Sequence, residues 1–332
     1  MTSPNLPGNP GDETGPNLTG PSESDVLLVA EPVSAVLTGG TGKEPKPEKP
    51  ASLWSDAWRE LRRNPLFIIG GLLILLLVTI AAFPQWFTAV DALDTQHCKL
   101  NQAREAIGVS TPLGRDTLGC DVYSRAIYGT QNSILVGLFT ALATALVGGT
   151  LGMFAGYFGG WLDTVLSRVT EVFFALPLVL GGLLILSVVP TVNIFTVTLA
   201  LTVVAWPMTF RIMRAAVVTA KSQDYVVAAR ALGAGNGRIM LRHILPNAVA
   251  PVIVVGTINL GVYIAAEAAL SYLGIGLRFP DISWGLMISD AQPWFLQAAH
   301  PLFVPAAFLS ITVLSFIMLG DAVRDALDPK LR

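Results

Sequence analysis

The 332-residue chain is poor in charge: Asp, Glu, Lys and Arg make up only 13% of it, against about 25% in a typical soluble domain. Hydrophobic residues supply 52%, and the mean hydropathy is +0.60. Lipid is therefore the expected solvent for most of the chain. No basic excess exists either. The formal net charge of −2 argues against a nucleic-acid partner. Two cysteines and three histidines, none at zinc-finger spacing, exclude a rich metal or redox chemistry, and no metal site is expected.

The first fifty residues differ from the rest. They are rich in Pro, Gly, Ser, Thr and charge, too polar to offset the entropy of ordering, and residues 1–50 read as a disordered tail. No basic start followed by an apolar run marks a signal peptide there. "GGTGKE" looks like a phosphate-binding loop, but Leu37 stands where its first Gly belongs and Glu44 follows Lys43. Residues 51–64 form a basic juxtamembrane segment.

A membrane-crossing helix needs about 20 mainly apolar residues. Six stretches qualify: 65–87, 133–158, about 161–189, about 192–218, about 248–275 and about 300–320. The third carries Asp163, Arg168 and Glu171 near its start, and the fifth carries Asn259 and Glu267. The chain is thus expected to be an all-α integral membrane protein. It has a first span, an outer loop at 88–130, a core of five further spans over 131–322 and a C-terminal segment at 323–332.

Lys and Arg accumulate on the cytoplasmic side of membrane proteins. With the N-terminus inside, the inner segments hold thirteen such residues and the outer segments five, leaving aside three lysines of the tail. Both termini are then cytoplasmic. Residues 88–130 fall outside, with Cys98 and Cys120 among them. An oxidising exterior favours a disulfide between them. Two free thiols, or a metal site with the adjacent His97, are the alternatives.

One polar island interrupts the apolar chain on the inner side, "DYVVAARALGAGNGRIMLRHILPN" at 224–247. Its first part favours helix, "GAGNG" breaks it, and Ile239, Met240 and Ile244 follow at near-helical spacing. Two short helices lying across the inner membrane surface are expected. They serve either as a solvated basic connector or as a dock for a cytoplasmic partner. A connection of some thirty residues (219–247) is longer than a passive link requires.

Elsewhere, Gly148, Gly152 and Gly156 recur every four residues, spacing that lets helix backbones approach in lipid, within this chain or against another. Glu267 stands roughly 28 Å from the inner end of its span, at about 1.5 Å per residue. An acid so placed either caps or pairs structurally or faces a translocated substrate. Asn259 belongs to the same candidate pathway.

The island resembles the coupling loop of permease subunits of bacterial ATP-binding-cassette importers. That pattern runs Glu-Ala-Ala, three residues, Gly, then about a dozen residues to Leu-Pro. Ala228, Ala229, Gly233, Leu245 and Pro246 match it, while Val227 replaces the Glu. "DAWRELRRNPLFIIGGLLILLL", "PLGRDTLGCDVYSRAIYGTQNSILVG", "AEAALSYLGIG", "SWGLMI" and "LGDAVRDALDP" are similar to the second, C-type permease of dipeptide, oligopeptide and nickel importers. The likeness covers about residues 54–332.

This resemblance implies six transmembrane helices of the type I ABC importer permease fold with a cytoplasmic coupling-helix hairpin, in the bacterial plasma membrane. It implies a heterodimer with a second homologous permease. Two cytoplasmic ATPase subunits would carry the ATP and Mg, and an extracytoplasmic binding protein would deliver the di- or oligopeptide. The chain itself would be neither an enzyme nor a cofactor carrier. Tyr225, Ala228, Ala229, Arg230, Gly233, Leu245 and Pro246 would meet an ATPase subunit. A nickel or metal-chelate importer is the alternative within the family. A secondary transporter would need coupling-ion residues at the midplane and commonly internal repeats, and neither stands out.

Overall fold

Inside a bilayer there is no water to bond the backbone, so a spanning segment satisfies its own polar groups, as a helix does. The computed structural model, which describes residues 58–93, 95–108 and 111–327, follows that rule. The stretch read as a disordered tail, and the last five residues, lie outside the described part. Among the described residues there is no strand, only one isolated bridge between Arg115 and Asp121.

Helix α1 (Pro65–Ala82) opens with Asn64 as its cap, whose side chain accepts from the Leu66 N–H at 2.9 Å, and with Pro65 in the first turn. Helix α2 (Val122–Phe158) is capped by Asp121, which accepts from the Ser124 N–H. It runs for 37 residues. The second span thus starts well before residue 133, within the expected outer loop.

The expected third span is not one helix. It is α3 (Gly160–Phe174) and α4 (Leu178–Ser187), bent by 88° at the break between them. Pro177 explains the break. It offers no N–H to a continuing helix and disfavours helical geometry at the residue before it.

Helix α5 (Ile194–Lys221) begins with a capping box between Asn193 and Thr196. Then come α6 (Asp224–Ala231), α7 (Asn236–Tyr272), α8 (Trp284–Ala291) and α9 (His300–Leu327). Five helices, or six with the bent pair taken as one, are long and apolar enough to cross a membrane.

The most extensive interface joins α2 and α5. Gly148, Gly152 and Gly156 make it. A Cβ on them would lie 2.6 Å from the Trp206 carbonyl oxygen, 2.6 Å from that of Phe210 and 2.9 Å from that of Arg214. Of the two packing partners open from the sequence, these glycines meet a helix of the same chain. The Arg214 guanidinium also grips Asp163 with two bonds, fastening the start of α3 to α5.

Gly152→Ala is expected to force α2 and α5 apart, at about 1–3 kcal/mol for an overpacked core, and to lower the melting temperature of the purified chain. Gly149→Ala, where nothing lies within 4 Å of an added Cβ, is expected to leave it unchanged or slightly higher. Equal melting temperatures for the two variants would contradict the close-approach account.

Candidate functional site

The polar island folds into a hairpin at the end of the bundle where α2 and α5 finish. Its first arm is α6. It ends as Gly233 takes a left-handed φ of +83°, with Leu232, Gly233 and Ala234 donating N–H groups back to Ala228, Arg230 and Ala229. Nothing crowds a Cβ built on Gly233, so the backbone angle rather than space calls for glycine.

The second arm departs from expectation. It is no separate helix lying on the surface but the first turns of α7, joined to the span through a π turn at Ile239–Ile244. Pro246 follows immediately. A proline lacks an N–H and crowds the preceding turn, and the wider π turn accommodates it. Asn247 donates to the Tyr225 hydroxyl at 3.2 Å, tying the two arms together.

The hairpin has two sides. Val226, Ile239, Met240 and Ile244 are buried against Met153 and Tyr157 of α2 and Met213, Val217 and Ala220 of α5. Burying each such side chain is worth about 1.5–3 kcal/mol, which anchors the hairpin without help from charge. The other side is open. Leu232 is 89% exposed, and Tyr225, Val227, Ala228, Arg230, Gly233 and Pro246 are exposed with it. Ala229 and Leu245 are half-buried at the edge. The seven residues assigned to coupling therefore share one hairpin, and Leu232 extends its exposed apolar surface, whereas Leu241 borders an apolar groove that Leu138 and Leu142 of α2 and Val252 of α7 also line.

At the opposite end of α2, Cys98 and Cys120 are joined by a disulfide. The bridge excludes two free thiols, and among the described residues no group of His, Cys, Asp and Glu could hold a metal ion. Around it the loop is fixed by charge. Arg125 pairs with Asp116, each side chain 7% exposed, and approaches Asp290 of α8 at 3.9 Å. Burial pushes the Asp290 carboxyl above its ordinary range, against the pull of Arg125. Arg104 lies over the Trp294 ring and donates to Gln297 at 2.7 Å.

Glu267 is fully buried. Ser271 donates to one of its oxygens at 2.7 Å and Ser133 of α2 to the other at 3.2 Å. Ser133 also accepts from the Trp284 N–H, and Ser271 from the Leu277 N–H. The carboxyl is thus the centre of a knot joining α2, α7 and the start of α8. Asn259, half-buried two turns earlier on α7, interacts with Tyr263, which also meets Thr144 of α2.

Residues 148–332, more than half of the chain, match the family of binding-protein-dependent transport system inner membrane components. The chain belongs to that family. Residues 52–103 of this inner membrane component also match the N-terminal TM domain of oligopeptide transport permease C. The oligopeptide transport system permease protein OppC of Bacillus subtilis (strain 168) is 37% identical over 285 residues, 86% of this permease and 92% of the relative. The glutathione transport system permease protein GsiD of Shigella flexneri serotype 5b (strain 8401) is 36% identical over 287 residues, 86% and 94% of the two chains. The dipeptide transport system permease protein DppC of Alkalihalophilus pseudofirmus is 33% identical over 283 residues, 85% and 91%. The resemblance seen in the sequence motifs is borne out, and this permease is a multi-pass, all-α membrane protein.

The disulfide closes a sequence separation of 22 residues, worth about 3 kcal/mol in the chain-entropy account. Reduction, or Cys98→Ser with Cys120→Ser, is expected to lower the melting temperature of the purified permease. An unchanged melting temperature would show that the charge pairs hold this loop by themselves.

Proposed function

We propose that this chain is the non-catalytic C-type permease subunit of an ATP-driven importer of di- or oligopeptides. It sits in the bacterial plasma membrane with both termini cytoplasmic and pairs with a second, homologous permease. Two cytoplasmic ATPase subunits carry the ATP and Mg. An extracytoplasmic binding protein delivers the peptide.

One observation carries this reading. The hairpin is firmly bedded on α2 and α5 yet presents exposed apolar side chains, Leu232 foremost, at the polar end of a membrane bundle. A passive connector gains nothing from such a surface, whereas a dock needs a rigid back and an exposed face. The names of its relatives, which speak of oligopeptide, glutathione and dipeptide transport, support peptides as the substrate class.

In this mechanism the ATPase subunits close on ATP and push the hairpin. The push reaches α2 and α5 through the buried side, and the spans tilt between inward-open and outward-open arrangements. Asn259, beside Tyr263 and Thr144, lines the route of the peptide. Glu267 holds α8 to the bundle so that the outer end moves as one piece.

Leu232→Asp alters a side chain that its own chain leaves exposed, so insertion and melting temperature are expected to stay unchanged. Recovery of the ATPase subunits on purification should fall roughly thirtyfold, the equivalent of about 2 kcal/mol for a docking hot spot. Gly233→Arg, which forces a side chain onto a left-handed backbone angle, is expected to abolish uptake of labelled peptides. Full ATPase recovery with Leu232→Asp and normal uptake with Gly233→Arg would remove the hairpin from the mechanism.

A further inference from the structure

The buried side of the hairpin is mostly greasy, and apolar packing has no preferred direction. One residue adds direction. Tyr157 lies in the last turn of α2, with its ring buried among Met213, Val217, Ile239 and Met240. Its hydroxyl donates to the Asn236 side-chain oxygen at 2.8 Å, at the first turn of α7, where the second hairpin arm begins. Its carbonyl receives the Lys221 ammonium from the last turn of α5, immediately ahead of the first arm. The same ammonium lies 5.6 Å from the centre of the Tyr157 ring.

Both roots of the hairpin therefore converge on one residue. That residue also stands two positions before Gly159 and Gly160, whose φ angles of +65° and +62° make the sharp link from α2 to the broken pair α3–α4. A displaced hairpin cannot shift Asn236 without pulling on the end of α2 and on that link.

We propose that Tyr157 is the joint that passes hairpin movement to α2, and that its hydrogen bond to Asn236 sets how many ATP molecules are consumed per peptide imported. Tyr157 is a positioning residue: it touches neither nucleotide nor peptide. The inference rests on the docking of the hairpin on an ATPase subunit.

The test uses the complete importer in lipid vesicles, with ATP hydrolysis and uptake of a labelled dipeptide mixture measured together. Tyr157→Phe keeps the ring and loses only the hydroxyl. Hydrolysis is expected to continue while uptake falls, raising the ATP used per peptide by about tenfold, the equivalent of one lost hydrogen bond. Asn236→Leu, at an exposed position, is expected to raise the ratio equally and serves where Tyr157→Phe fails to assemble. Asn236→Asp keeps an acceptor for the hydroxyl and is expected to restore the wild-type ratio. A loss of packing alone would lower melting temperature and leave the ratio unmoved. A wild-type ratio in Tyr157→Phe, or in Asn236→Leu, overturns the joint and leaves the proposed function standing. A wild-type assembly that hydrolyses no ATP, or imports none of the dipeptides, overturns the proposed function and the joint together.

Discussion

The contact between α2 and α5 governs this molecule. Lipid gives two apolar helices no hydrophobic reason to leave it for one another, so association depends on how closely backbones fit. Gly148, Gly152 and Gly156 provide the fit, each facing a carbonyl of α5 one helical turn after the last, at Trp206, Phe210 and Arg214. The consequence reaches the end of both helices. Because the axes are close there, Met153 and Tyr157 from one helix and Met213, Val217 and Ala220 from the other merge into one bed, and the hairpin lies on it. Spread the helices and the hairpin loses its floor.

The far end is held by different physics. There the loop between α1 and α2 packs over the end of the bundle, and its contacts are largely polar. A disulfide, the Arg125–Asp116 pair and the stacking of Arg104 on Trp294 join the apolar cluster of Val122, Ala126, Ile282 and Met287. Just inside this end stands Glu267, whose partners are serine hydroxyls. A buried carboxyl is tolerated only where donors surround it, and Ser133 and Ser271 also accept from the Trp284 and Leu277 N–H groups, so one knot satisfies several groups from three elements.

Hydropathy alone revealed five of the spans, the apolar stretch that forms the bent pair and the break in polarity at 224–247, because lipid burial is a property of each segment by itself. The cysteine pair was legible because the chain's two thiols fall on one loop between spans. What escaped depended on partners distant in the chain or on local backbone chemistry. The 88° bend in the third span comes from Pro177, which an average over twenty residues conceals. The second arm of the hairpin was read as a separate surface helix because the glycines before it and Pro246 after it suggest boundaries. A π turn, nearly invisible to a 3.6-residue period, carries the chain past that proline into α7. Glu267 was open to a pathway reading because nothing near it in sequence announces that Ser133, on another helix, bonds it.

The departure at Val227 bears on what the hairpin can grip. In the importer pattern an acid occupies this place, and its charge would favour a basic partner. Here the position is an exposed valine, with Leu232 also bare on the hairpin. An exposed apolar group returns little until a partner covers it, and then it contributes area without the desolvation cost that a carboxylate brings. The charge that remains on the hairpin is mainly basic, Arg230, Arg238 and Arg242 against Asp224. On the proposed docking, such a hairpin is matched by a groove with an apolar floor and a mostly acidic rim. On that docking, a partner built to receive a carboxylate there would leave its own basic group unpaired against Val227, a penalty that works as specificity.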